Sequence, residues 1–131
     1  MAADRQRPVS PHLQIYRLPM AAVLSITHRI TGIALALGAL LMVLLLIAAA
    51  SGSQVYTAVY PLTAHWLGQI VLFAFTLALY YHLCAGIRHL FWDAGYGYEL
   101  ATVRRTSWLV LGSAGALTVL TWIVALAANG S

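Results

Sequence analysis

The chain has 131 residues, 62% of them hydrophobic and 8% charged, and its formal net charge of +4 comes from arginines alone, with no lysine. That balance excludes an ordinary water-soluble domain. The arginines gather at the ends of apolar stretches instead of forming a stripe, which argues against nucleic acid as the partner of the basic charge.

Residues 1–19 hold Pro8, Pro11 and Pro19; proline removes a backbone donor and disfavours helix in the residue before it, so an extended or interfacial lead-in is predicted. His12 in that segment is predicted to be a surface residue. No apolar core with a cleavage site is present in MAADRQRPVS, and insertion into a bacterial inner membrane without processing is the expectation. From Met20 to about Ala50 the chain is apolar, broken only by Ser25, Thr27, His28, Arg29 and Thr31 near its start. Residues 51–64, SGSQVYTAVYPLTA, are polar enough to predict a loop. A second span is predicted over 65–92 and a third over 106–128, the latter preceded by Arg104 and Arg105. No Asp, Glu, Lys or Arg lies between Arg29 and Arg88, and that length suffices for two crossings of a hydrocarbon core of about 30 Å.

These elements predict an all-α membrane protein whose transmembrane domain, 20–128, runs up-down-up. The arginines fall before and within the start of the first span and around the second loop, as Arg88 at the end of the second span and Arg104 and Arg105 before the third, and none lies in the first loop or at the C-terminus. The positive-inside rule then puts the N-terminus in the cytoplasm. Trp66, Trp92 and Trp108 near span ends suit interfacial aromatics. The run Gly112, Ala114, Gly115 and Ala116 is predicted to be a close-packing face of the third helix.

Antiparallel order brings the start of helix 1 and the end of helix 2 to one side, collecting Ser25, His28, Arg29, His82, Arg88 and His89. At 1.5 Å per residue, Arg29 lies about 14 Å into the first span and His82 about 15 Å from the end of the second. An arginine at that depth costs roughly 2.5–3.5 kcal/mol or more and requires a counter-charge or a polar cavity. No carboxylate of this chain is predicted at that depth, since Asp93 belongs at the interface near Arg88 or His89. A ligand or another subunit must therefore supply the anion, and haem propionates or a quinone gaining charge would both serve. Ser25 and Arg29, four apart, share a helix face where hydroxyl and cation can converge on one quinone carbonyl; a back-bond from Ser25 to its own helix is the alternative.

On helix 2, His82 and Gly86 stack on one face with His89 a heptad beyond His82. The glycine makes room for a flat macrocycle, and a neutral imidazole suits haem iron. A hydrogen bond from His82 to a neighbouring helix is an equally open reading. With a single cysteine, Cys84, and no Cys-x-x-Cys-His, any haem is b-type. Cys84 is predicted to be a packing residue facing away from His82.

Three stretches taken together resemble a known family, the cytochrome b anchor subunit of succinate dehydrogenase, respiratory complex II. They are Arg7-Pro8-Val-Ser10-Pro11-His12-Leu-Gln-Ile-Tyr16, Ser25-Ile-Thr-His28-Arg29-Ile-Thr31-Gly32, and His82-x-x-x-Gly86-x-Arg88-His89-x-x-x-Asp93. The resemblance implies that His82 is one axial ligand of haem b, the other coming from a second, smaller anchor subunit against which this chain packs. It implies that Ser25 and Arg29 line the ubiquinone pocket, that His28, Arg29 and His89 approach the haem propionates, and that Arg88 and Asp93 lie near the soluble subunits. It further implies an enzyme subunit without succinate chemistry of its own, with FAD and iron–sulfur clusters held by flavoprotein and iron–sulfur partners. Rival readings are a fumarate reductase anchor working in reverse, a non-redox helical membrane subunit, and a cytochrome b holding two haems on one chain, which needs more intramembrane histidines.

Overall fold

The computed structural model describes residues 17–129; the expectations for the lead-in over residues 1–16, His12 among them, lie outside these. Four helices follow in order, α1 (Met20–Ala50), α2 (Ser53–Ala64), α3 (Trp66–Asp93) and α4 (Leu100–Asn129), with no strand among the described residues. Three of them, α1, α3 and α4, are long and apolar enough to cross a membrane.

Proline starts the bundle. Pro19 caps α1 in an extended conformation, and its carbonyl accepts from the amides of Ala22 and Val23. Its missing amide costs nothing at a helix start, where that donor has no intrahelical partner.

The segment over 51–64 is mostly helix, not the predicted loop. Gly52, at φ 111°, turns the chain after α1, and α2 then runs to Ala64 with Pro61 inside it. Its serines, threonines and proline suggest a loop by composition, yet Val55, Tyr56, Tyr60 and Leu62 supply exposed apolar surface, as in a helix lying at an interface. The chain turns again at one residue: His65 is extended, caps α3, and accepts from the Leu67 amide at 3.3 Å on Nδ1. The Gly68 backbone comes so close to α2 that a Cβ there would lie 2.1 Å from the Leu62 carbonyl oxygen.

Helix α3 ends in a glycine turn. The Tyr96 amide bonds back to the Phe91 carbonyl and the Gly95 amide to the Trp92 carbonyl, with Gly95 at φ 87°, the left-handed closure that spares a helix end its orphan carbonyls. α4 begins at Leu100, so Arg104 and Arg105 sit in its first turns and not in a preceding loop.

α3 is the central helix, packed against both α1 and α4. Contacts fix the directions. The Tyr81 hydroxyl donates to the Leu24 carbonyl at 2.7 Å, while Gly38, farther along α1, meets the earlier Phe75, so α1 and α3 are antiparallel. Tyr80 pairs with Thr121 at 2.8 Å and Arg88 with Ser107 at 2.9 Å, so α3 and α4 are antiparallel too. Leu24, Tyr81, Ala85, Val110 and Ala114 form the core at the end where α1 starts and α3 finishes.

The close-packing face of α4 shares only Ala114 with the predicted run of Gly112, Ala114, Gly115 and Ala116. Ser107, Val110, Ala114 and Thr118 are buried, and their spacing of three or four holds them on one face. Gly112 and Gly115 have open space where a side chain would go. Small residues matter only where the register turns them toward a neighbour.

Candidate functional site

The first three turns of α1 lie against the last three of α3. From α1 come Ser25, His28, Arg29, Thr31 and Gly32, and from α3 His82, Gly86 and His89. The His28 ring stacks on His82 with centroids 4.0 Å apart and planes 15° apart, and lies 5.0 Å from His89. His89 in turn meets the edge of Trp92 at 5.2 Å. The three histidines expected to gather here do so.

His82 is held at one nitrogen only. Its Nδ1 is 3.1 Å from the His28 carbonyl oxygen and 3.2 Å from Thr31 Oγ1, and Thr31 donates its own proton to that carbonyl at 2.9 Å. A carbonyl can only accept, and the threonine proton is already committed. Nδ1 must therefore carry the ring proton, which leaves the Nε2 lone pair free. Fixing one imidazole nitrogen by a backbone carbonyl is how proteins orient a histidine that binds metal through the other. Gly32 completes the seat: a Cβ there would lie 3.1 Å from His82 Cε1, closer than an unstrained contact allows. Sequence reasoning assigned no role to Thr31 or Gly32; their positions three and four residues after His28 on one helix face were the available signal.

His28 Nε2 is buried and has no hydrogen-bond partner. Gly86 leaves space beside it, since a Cβ at Gly86 would meet that nitrogen at 3.8 Å. Among the described residues no group of three or more His, Cys, Asp or Glu could hold a bare metal ion. The cluster offers one directed imidazole lone pair, suited to a metal that brings its remaining ligands with it.

Ser25 is half-buried and Arg29 exposed. Thr27 and Thr31 turn their hydroxyls back onto α1 carbonyls, but Ser25 has no such bond to a described residue. Among the described residues, then, neither this hydroxyl nor the guanidinium four residues on has a hydrogen bond or ion pair.

Arg88 lies elsewhere than its sequence position suggests. It is 4% exposed, turned toward α4, donating to Ser107 and set 4.7 Å from the Trp92 ring centroid. Asp93 is exposed; five positions apart on a helix, it and Arg88 point to different sides. Cys84 is half-buried and lines the same cleft as Arg88, away from His82 as predicted.

Residues 3–125 match the family model described as Succinate dehydrogenase/Fumarate reductase transmembrane subunit. The chain belongs to that family. It is 47% identical over 118 residues, covering 90% of this chain and 91% of the other, to the succinate dehydrogenase cytochrome b556 subunit of Paracoccus denitrificans. It is 42% identical, with 90% and 92% covered, to the protein of that name in Rickettsia felis, and 42% identical, with 90% and 85% covered, to the succinate dehydrogenase cytochrome b560 subunit of Reclinomonas americana. With membership in a transmembrane-subunit family, the three apolar helices are membrane spans. The chain is a three-span membrane anchor, and its role in the enzyme is that of a subunit, not the site of succinate chemistry.

Proposed function

We propose that this chain is the haem b-carrying anchor of a succinate:ubiquinone oxidoreductase. The observation that carries the reading is the His82 imidazole, protonated on Nδ1 by its bond to the His28 carbonyl and free on Nε2. Nε2 would hold the haem iron from this chain, and a second, smaller anchor subunit packed beside it would supply the other ligand. Bound there, haem b provides a one-electron carrier within the membrane. His28, whose buried Nε2 has no partner among the described residues, would donate to a haem propionate, with Arg29 and His89 as the further positive or polar groups on that side. Gly86 leaves the room beside His28.

Ser25 and Arg29 form this chain's wall of the ubiquinone pocket. The hydroxyl donates to one quinone oxygen, and the guanidinium stabilises negative charge as it grows there, an interaction strengthened by the low dielectric of the membrane. The electrons come from partners: a flavoprotein that oxidises succinate at FAD, and an iron–sulfur subunit whose clusters relay them. Asp93, exposed at the end of α3, faces the soluble pair. The N-terminus is cytoplasmic and the membrane is a bacterial inner membrane, in keeping with the positive-inside distribution of arginines and with the Paracoccus and Rickettsia relatives. The direction is from succinate to quinone, a reading supported by the names of the relatives, which are succinate dehydrogenase subunits.

Affinity purification through a tag on this chain tests the proposal. A flavoprotein, an iron–sulfur protein and a second small membrane chain are expected, with a b-type spectrum and succinate-driven ubiquinone reduction. A complex lacking b-type haem overturns the ligand reading. One that only oxidises quinol with fumarate overturns the direction.

A further inference from the structure

The second incompletely bonded group in this bundle lies on the far side of α3. Arg88 is six residues after His82, roughly 240° around the helix at 3.6 residues per turn. Its Nη1 donates to Ser107, whose hydroxyl proton goes to the Val103 carbonyl at 2.7 Å. Nε and Nη2 are buried and have no hydrogen-bond partner among the described residues. These two are not an arbitrary pair. Nε–H and Nη2–H form one edge of the guanidinium, with parallel donors spaced to meet two oxygens of one phosphate or carboxylate.

That edge belongs to a residue lining a cleft of about 420 Å³ between α3 and α4. Toward the helix ends, Arg88, Trp92 and Thr106 wall it; along its length Ile87, Phe91 and Leu109 do. The last three are exposed on the outer surface of the spans, so the cleft opens on the outside of this chain's bundle. Arg88 meets the Ser107 hydroxyl and the Trp92 ring but no counter-charge among the described residues, where neither Asp93 nor Glu99 accepts from it; a buried cation without a counter-charge is costly. The matching occupant carries a doubly accepting anionic head and an apolar chain, and it must reach the site from the bilayer. Arg105, three residues beyond Thr102 and four before Leu109, shares that side of α4 by register and adds positive charge at the mouth.

We propose that this cleft is a binding site for an anionic phospholipid, its phosphate held by the Nε and Nη2 edge of Arg88 and one acyl chain laid along Ile87, Phe91 and Leu109. The site is argued separately from the haem and quinone reading, since Arg88 turns toward α4 and lies, by the shorter way round, about 120° around α3 from His82.

The test uses the intact membrane complex, exchanged in mild detergent against phosphatidylglycerol or phosphatidylcholine, with retained lipid counted by native mass spectrometry. The wild type is expected to retain phosphatidylglycerol about tenfold in preference, as fits one two-pronged charged contact. R88K keeps the charge but loses the paired edge, and T106F fills the cleft; Thr106 bonds only its own helix. Both variants are expected to lose the preference while melting as assembled complexes like the wild type. Three results overturn the proposal: equal retention of the two lipids by the wild type, a preference that survives T106F, or release of phosphatidylglycerol by inorganic phosphate alone. Equal retention would mean that a protein carboxylate meets Arg88 in the assembly.

Discussion

The two sides of α3 each hold buried nitrogen that this chain leaves unbonded, and the nitrogens differ in kind. Toward α1 the group is imidazole: a free Nε2 lone pair on His82 and the orphan Nε2 of His28. Toward α4 it is guanidinium, a fixed cation with two parallel donors unused. Imidazole can be neutral in a dry bundle and give a lone pair to a metal; guanidinium cannot lose its proton and can only attract an anion. One helix therefore presents two nitrogen groups of different chemistry. The difference also teaches how each is held: His82 is fixed by the backbone and a glycine gap of α1, whereas Arg88 is fixed by one side chain of α4 and an aromatic ring.

Substitutions confined to one side should leave the other intact, which gives ways to break the contrast. The largest effect is expected from Gly32→Val, which drives a branched side chain into the His82 ring and should cost about 100-fold in haem retention, the upper range for groups that orient a metal ligand. Haem per complex by difference spectrum reads it, and retention equal to wild type would show that the ring has another seat. Arg29→Ala is next: ubiquinone reduction should fall about 100-fold, comparable to losing a charge-stabilising donor, while succinate oxidation with a soluble artificial acceptor stays unchanged. Equal loss of both activities would point to misassembly instead. Thr31→Val removes the hydroxyl beside His82 Nδ1 but spares the carbonyl. Haem should stay bound about tenfold more weakly, with a displaced midpoint potential; an unmoved potential would leave the carbonyl as the sole support. The smallest effect sits on the α4 side, where Ala114→Leu overpacks the core and should destabilise the chain by about 1–3 kcal/mol, seen as a lower melting temperature with an unaltered haem spectrum.

Much of this was legible in the sequence, and unevenly so. The three spans and their alternating direction follow from hydropathy and arginine placement, because a bilayer tolerates few other solutions. The gathering of His28, His82 and His89 follows from helix depth. The helix over 53–64 did not, because serine, threonine and proline are compatible with both a loop and a surface helix, and only neighbouring structure decides. The resemblance implies a place for Arg88 near the soluble subunits, but its turn toward α4 is not legible: depth is linear in sequence, whereas which neighbour a side chain meets depends on rotation and on Ser107, nineteen residues away. Thr31 and Gly32 escaped for a related reason: their effect on His82 passes through a backbone carbonyl, which no sequence pattern displays.

The central claim is that His82 Nε2 is kept free to bind iron. The reduced-minus-oxidised optical spectrum of the purified His82→Ala complex, compared with His89→Ala at equal complex concentration, addresses it most directly. The account expects the b-type signal to be lost or converted to a five-coordinate form in the first and retained in the second. A His82→Ala spectrum indistinguishable from wild type contradicts it.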